Sequence, residues 1–187
     1  MLIAAGWSSL EIAKLVVAAL IPVAIFSAGL IVAREARKYE ERQWVARKLF
    51  EARLECWDKF GPRLLELNNF FALIGGFREV TPPRALELRH EIDEVAYANV
   101  HVLGAGFLER YNSFMHTCFV THGGFGDYGT LRTSLSLQRR ERGAGDWDPM
   151  WDQLFAPEEM ASTPADVGAA YSDLLNSFTE LDLPRGE

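Results

Sequence analysis

The sequence is poor in cysteine, shows no repeat and has no excess of basic residues, and each absence excludes a class of protein. Two cysteines, Cys56 and Cys118, are too few for a disulfide framework, so we expect reduced, packed thiols. No glycine or sequence block recurs at a fixed spacing, which excludes collagen and repeat arrays. The net charge of −7 argues against a nucleic-acid-binding protein. Because 49% of the residues are hydrophobic, the chain has the material to build a core.

Charge is also absent from one long stretch, residues 15–33, which reads LVVAALIPVAIFSAGLIVA. A helix of this length rises about 28 Å, close to the thickness of a bilayer's hydrocarbon core. Trp7 and Lys14 precede the stretch at positions suited to the membrane interface. We predict a retained transmembrane helix over 15–33, with residues 1–14 outside the cell. A cleaved signal peptide and a buried core helix are the alternatives, but this uncharged run is long for both.

Basic residues near this stretch predict its orientation. Lys14 precedes it, whereas six lysines and arginines lie within residues 34–48. The positive-inside rule therefore places residues 34–187 in the cytoplasm, and the protein in a cell (inner) membrane. The basic residues expected at the inner lipid head groups are Arg34, Arg37 and Lys38.

Small residues recur at a spacing of four within the apolar stretch, at Ala24 and Ala28 and at Gly29 and Ala33. Small residues at this spacing allow two membrane helices to approach closely. The sequence therefore offers a packing face for a second helix, although alanine and glycine that simply face lipid would give the same pattern.

The remaining sequence predicts a mainly α-helical domain, a bundle of about four or five helices. Apolar residues recur at helical spacing, and no alternation of strands with helices suggests a nucleotide-binding sheet. The first of these helices continues out of the membrane. We expect helix boundaries at Gly61-Pro62, Gly75-Gly76, Thr81-Pro82, Gly104 with Gly106, and Thr163-Pro164.

Residues 123–149 are predicted to be a glycine-rich and basic loop, in which alternating leucines allow at most a short strand. Gly124, Gly126 and Gly129 match the pattern G-x-G-x-x-G, but no predicted strand precedes them and no βαβ unit follows. A structural turn explains them, and an anion or partner site is the alternative. The arginines that would serve such a site are Arg132, Arg139, Arg140 and Arg142. For Arg139, Arg140 and Arg142 the alternative is a contact with the chain's own acidic segment or with solvent.

The sequence contains no recognisable catalytic or metal-binding motif. Glu87 and His90 form a single E-x-x-H, whereas dimetal bundles need two such pairs and further glutamates. His116, Cys118 and His122 lack a fourth zinc ligand. No lysine follows Lys59, which excludes a protein-kinase arrangement around the glycines. We therefore assign no catalytic residue, no cofactor and no small-molecule substrate.

The acidic segment 144–187 carries ten aspartates and glutamates against one arginine. Within it, DWDPMWDQLF combines charge with large apolar side chains that recur at helical spacing. These side chains either pack on the protein's own bundle or dock onto a partner. The residues concerned are Trp147, Trp151, Leu154 and Phe155.

The succession W-D-K-F-G-P (57–62), F-M-H-T-C-F (114–119), a glycine-rich turn, L-R-T (131–133) and W-D-P-M-W-D (147–152) resembles a group of small, uncharacterised bacterial proteins. Those proteins have one N-terminal membrane helix and a helical cytoplasmic domain. The resemblance covers most of the chain after Arg34 and implies a bacterial inner-membrane setting. It implies no catalytic residues, because these motifs have no assigned chemistry.

The sequence as a whole predicts a non-enzymatic, single-pass membrane protein. Its cytoplasmic domain would serve as an interaction, accessory or assembly module, with the lipid bilayer and a partner protein or further copies of the chain as its partners. The alternative hypothesis is a membrane effector of a bacterial defence system that oligomerises to disturb the bilayer. A membrane-tethered enzyme that uses the loop is a third possibility.

Overall fold

The computed structural model describes residues 9–120 and 129–179, and for most residues from 9 to 28 and for Ala144 only the backbone is described. The chain divides into two compact units, Met1–Lys48 and Leu49–Glu187. The described residues are predominantly helical, which confirms the mainly α-helical part of the predicted fold. The second unit contains the core and the candidate site described below.

The first helix, α1, covers Ser9–Ala72, so the predicted boundary at Gly61-Pro62 is wrong. Pro62 has no N–H and leaves one carbonyl of the preceding turn without its helical donor, which usually ends or bends a helix. Phe60 and Leu64 lie on either side of it and are fully buried. Each side chain of this size gains roughly 2 kcal/mol from burial, which offsets the local cost of the proline.

No helix among residues 9–120 and 129–179 is both long enough and apolar enough to cross a bilayer. The transmembrane helix predicted over 15–33 is therefore not confirmed and stays a prediction. The boundaries assigned to the segments 1–14 and 34–187 depend on that helix and are predictions as well.

α1 ends where Leu73 adopts a left-handed conformation with φ of 57°, before the glycines predicted to end it. Helix α2 covers Pro82–Ala98. It begins as predicted, because the Thr81 hydroxyl accepts a hydrogen bond from the Arg84 N–H (3.4 Å) and proline occupies the first position. A single turn, α3, covers Val100–Leu103, and Gly104, with φ of 85°, separates it from α4.

Helix α4 covers Ala105–Cys118 and leads directly into a two-residue strand, β1, Phe119–Val120. Strand β2, Thr130–Leu131, pairs with β1 in the antiparallel direction. Leu131 also forms a parallel bridge with Phe155, and Thr133 forms one with Ser162. Residues 130–133 therefore join three parts of the second unit.

Helix α5, Leu135–Arg142, lies within the segment that the sequence analysis predicted to be a loop. It is short, and its basic sequence, LSLQRRER, has too few apolar residues to show a helical periodicity. The Ser134 hydroxyl caps it by accepting a hydrogen bond from the Leu137 N–H at 3.1 Å. Three 3₁₀ helices follow α5, at Ala144–Asp146, Pro149–Leu154 and Glu158–Met160.

The last described helix, α6, covers Pro164–Thr179 and begins where the sequence predicted. A reciprocal cap forms at its start, because the Thr163 hydroxyl accepts from the Asp166 N–H (3.2 Å) and the Asp166 carboxylate accepts from the Thr163 N–H (3.1 Å). α6 lies antiparallel to α4. The ring of Phe107 is 6.1 Å from that of Phe178, and the ring of Phe114 is 5.8 Å from that of Tyr171.

The core of the second unit is rich in aromatic rings. Phe60 of α1 contacts Phe107 of α4 with ring centroids 5.7 Å apart, and Phe71 contacts Phe119 at 5.2 Å. α1 and α4 therefore run in the same direction through the core. The fully buried aromatic side chains are Phe60, Phe70, Phe71, Phe107, Tyr111, Phe114 and Phe119.

Candidate functional site

The apolar stretch predicted to enter the membrane presents large side chains at its surface. The side chains of Phe26 and Val32 are 69% and 68% exposed, and that of Leu20 is 59% exposed. The predicted interfacial residues Lys14, Arg34, Arg37 and Lys38 are exposed too. Trp7 lies outside the described residues. An apolar surface of this kind normally contacts lipid or another protein.

The predicted helix-packing residues are described only in part. Gly29 and Ala33 are exposed on α1, and a side chain added at Gly29 would meet no atom within 4 Å. The side chains of Ala24 and Ala28 lie outside the described ones. A second helix is therefore sterically possible at Gly29, and the packing face itself stays a prediction.

Gly129 is explained by strand pairing. Its φ is 66°, and a Cβ atom placed on it would lie 2.6 Å from Nη1 of Arg89 and 2.7 Å from the Val120 carbonyl oxygen. Only glycine fits this close approach without strain. Gly124 and Gly126 lie outside the described residues, so the anion site proposed for this motif stays untested.

Arg132 and Arg142, named as candidates for an anion or partner site, form contacts within the fold. The guanidinium of Arg132 donates to the carbonyls of Met160 (2.8 Å) and His116 (3.0 Å). The side chain of Arg142 is buried, and its guanidinium donates to the backbone carbonyls of Phe77, Arg78 and Val80. Burial lowers the pKa of Arg142 from its usual value.

The other two arginines of this group are exposed to different degrees. Arg139 forms an ion pair with Asp152 and lies over the ring of Trp147, with its guanidinium carbon 5.6 Å from the centroid. Arg140 is the most exposed of the four, and it contacts its neighbour Glu141 at 3.0 Å. Each of the four arginines thus has a partner within the chain.

The aromatic segment 147–155 packs on the chain's own core. The side chain of Phe155 is only 8% exposed, and those of Trp147, Trp151 and Leu154 are partly buried against the core. The Trp147 indole N–H donates to Asp152 at 3.0 Å, which lowers the pKa of that carboxyl. Of the two possibilities drawn from the sequence, the structure shows the intramolecular one for Phe155. Trp151 and Leu154 keep an accessible side.

That accessible side belongs to an open groove of about 700 Å³. It lies between the first turns of α2, the start of β2 and the 3₁₀ helix Pro149–Leu154. Met150 is 65% exposed, which is unusual for a large apolar side chain. The apolar lining consists of Pro83, Leu86, Met150, Trp151 and Leu154.

The polar lining of the groove combines two acidic side chains with the neutral ones of Thr130 and Gln153. Glu87 and Asp148 contribute carboxylates, and both side chains are exposed. Glu87 contacts Arg84 at 3.2 Å, and Asp148 accepts a hydrogen bond from the Met150 N–H at 2.8 Å. Thr130 lines the groove as well. Its hydroxyl oxygen is buried and has no hydrogen-bond partner among the described residues.

Sequence reasoning singled out Trp151, Leu154 and Gly129 among the lining residues of this groove and missed most of the others. Glu87 was considered as part of an E-x-x-H pair, and Leu86 was not assigned to a binding site. The groove joins α2 to a segment about sixty residues further along the chain, and no local pattern signals that meeting. Within the described residues no group of three or more histidine, cysteine, aspartate and glutamate side chains is placed to hold a metal ion.

A buried polar contact lies beside the groove's helix. The Tyr111 hydroxyl donates to the Asp93 carboxylate, which also pairs with Arg89 at 3.5 Å. Burial is the main cause that raises the pKa of Tyr111, and the negative charge of Asp93 adds to it. Tyr111 therefore stays protonated and serves as a hydrogen-bond donor rather than as a base.

No protein-family model matches the chain, and comparison with curated proteins and with solved structures gave no significant match. The resemblance to small bacterial inner-membrane proteins therefore stays a prediction.

Proposed function

We propose that this chain is a non-enzymatic, single-pass membrane protein whose helical domain binds a partner protein, or further copies of itself, on the cytoplasmic side. The observation that carries the proposal is the uncharged run over 15–33, together with the exposure of its large side chains such as Phe26 and Val32. Water is a poor solvent for such a surface, whereas lipid is a good one.

The energetics of the run favour insertion. It contains eleven leucine, isoleucine, valine and phenylalanine residues. At the centre of a membrane helix each contributes roughly 0.3–0.6 kcal/mol, or about 5 kcal/mol together, whereas one arginine costs roughly 3 kcal/mol. Two arginines within the run would therefore make insertion unfavourable.

Fractionation of cells that express the full chain tests the membrane assignment. We expect the protein in the membrane pellet after washing with alkaline carbonate. The variant Leu20→Arg/Phe26→Arg should move to the soluble or aggregated fraction. Val45→Arg is the matched control, because Val45 is also exposed on α1 but lies outside the run, and it should stay in the pellet. Unmodified protein in the soluble fraction would refute the proposal.

Orientation is tested separately with a cysteine-reactive, membrane-impermeant reagent. We expect labelling of a cysteine placed at residue 2 in intact cells, and no labelling of one placed at Arg140 until the cells are opened. Arg140 suits this purpose because its side chain is 72% exposed. The reverse pattern would refute a cytoplasmic domain.

A further inference from the structure

We propose that the groove between α2 and the segment 148–154 binds a peptide stretch of a partner protein in which basic side chains flank apolar ones. This inference rests on the proposed function, because it presumes that the domain binds a protein. It adds the location of the binding surface and the chemistry of the ligand.

The apolar side of the ligand follows from the floor of the groove. Leu86, Trp151 and Leu154 are each packed against the core on one side and line the groove on the other. Their contact with the core fixes them in place, so a ligand would lose little free energy in ordering them. Met150 is 65% exposed at the edge and has a flexible side chain, which can adapt to apolar groups of different shape.

The basic side of the ligand follows from the charges at the rim. The two arginines near the groove already have carboxylate partners: Arg84 contacts Glu91 at 2.6 Å and Glu87 at 3.2 Å, and Arg89, which lies beside Gly129, pairs with Asp93 at 3.5 Å. The Asp148 carboxylate accepts a hydrogen bond from a neutral backbone N–H, and this contact does not compensate its negative charge. Glu87 and Asp148 therefore present an acidic rim to a cationic ligand.

The surrounding sequence strengthens this preference. Seven aspartates and glutamates and no lysine or arginine occupy the described residues 144–179, so the segment that contributes Asp148 to the groove carries an excess of negative charge. A field of one sign attracts ligands of the opposite sign and repels anionic peptides and nucleic acid. A basic-apolar peptide matches both the floor and the rim of the groove.

Peptide binding to the full chain in a neutral detergent tests the inference. The probe is a fluorescently labelled synthetic peptide of leucine and lysine, and the comparison peptide replaces each lysine by glutamate. Anisotropy reports binding, and micelles without protein give the background. We expect the lysine peptide to bind and the glutamate peptide to bind at least about tenfold more weakly.

Two matched variants locate the binding. Glu87→Gln/Asp148→Asn removes the rim charges and keeps hydrogen-bonding groups, since asparagine can still cap the Met150 N–H. Glu94→Gln/Glu109→Gln removes as many charges from exposed positions that do not line the groove. We expect about tenfold weaker binding for the first variant only, and a smaller difference at high salt. A third variant, Met150→Lys, should weaken binding as well.

The outcomes separate this inference from the membrane assignment. Equal affinity of both matched variants, or equal binding of both peptides, would overturn the groove proposal even if the protein fractionates with membranes. A soluble protein that binds the lysine peptide through Glu87 and Asp148 would support the groove and refute the membrane anchor. Loss of self-association in Met150→Lys, measured by light scattering, would identify a second copy as the occupant and overturn a separate partner.

Discussion

Replacing Arg142 by alanine should destabilise the domain more than any other single arginine substitution in α5. The side chain of Arg142 is 5% exposed and its guanidinium donates to three backbone carbonyls in the turn between α1 and α2. Its charge also lies over the rings of Phe70 and Phe77, at 5.4 and 5.6 Å from the centroids. The hydrogen bonds of Arg142 therefore link α5 to that turn.

The expected loss follows from these contacts. A hydrogen bond from a charged donor contributes about 1.5–3 kcal/mol, and a buried carbonyl left without a donor adds its own cost. In Arg142→Ala the buried carbonyl of Val80 loses its hydrogen-bond donor, whereas the carbonyls of Phe77 and Arg78 are only partly buried and can bond to water. We therefore expect Arg142→Ala to lower the free energy of unfolding by about 3–5 kcal/mol, and the melting temperature by roughly 10 °C or more.

Arg140→Ala is the matched control, because Arg140 lies two residues away in the same helix with its side chain 72% exposed. We expect it to change the free energy of unfolding by less than about 0.5 kcal/mol. Arg142→Lys should fall between the two, since one ammonium group cannot reach all three carbonyls. Thermal unfolding followed by circular dichroism measures these differences. Equal melting temperatures for Arg142→Ala and Arg140→Ala would refute the reasoning.

Two further predictions concern a glycine and a carboxylate. Gly129→Ala should lower the free energy of unfolding by roughly 1–3 kcal/mol, because Gly129 has a positive φ and an added Cβ would collide with the Val120 carbonyl. Gly145→Ala is the control and should have little effect, since no atom lies within 4 Å of its added Cβ. For Glu91, hydrogen bonds from Arg84 and then Arg63 lower its pKa, so its contribution is present above the ordinary carboxyl pKa and is lost as the pH falls. Glu91→Gln should flatten the acid side of a plot of melting temperature against pH, and an unchanged plot would contradict this assignment.

Helix starts were predictable because their chemistry is local. Thr81-Pro82 and Thr163-Pro164 each place a capping hydroxyl before a proline at the first helical position, and both begin helices in the structure. The information lies within four residues of the boundary. Nothing elsewhere in the fold overrides it.

Helix continuity and helix α5 were not predictable in the same way. Gly61-Pro62 is a strong local signal for a helix end, but the burial of Phe60 and Leu64 decides the outcome, and burial depends on the rest of the fold. α5 has few apolar residues, and its stability comes from Gln138 and Arg142, which donate to backbone carbonyls of Phe70 and of the turn before α2. Such contacts join residues more than sixty positions apart.

The candidate groove shows the same limit. Trp151 and Leu154 were identified from the composition and the helical spacing of their segment, whereas Leu86 and Glu87 reach the site only because α2 packs beside the 3₁₀ helix Pro149–Leu154. A sequence pattern identifies apolar side chains that are expected to be buried. It does not identify the residues against which these side chains pack.

The antiparallel packing of α6 on α4 has a consequence for how the protein is made. Phe107 and Phe114 are covered by Phe178 and Tyr171, which belong to a part of the chain, α6, that is synthesised after α4. Until that part has been synthesised, the nascent chain exposes two large aromatic side chains of α4 to the cell and to its chaperones. A premature stop codon before Pro164 should therefore yield an aggregating or rapidly degraded fragment rather than a smaller working domain.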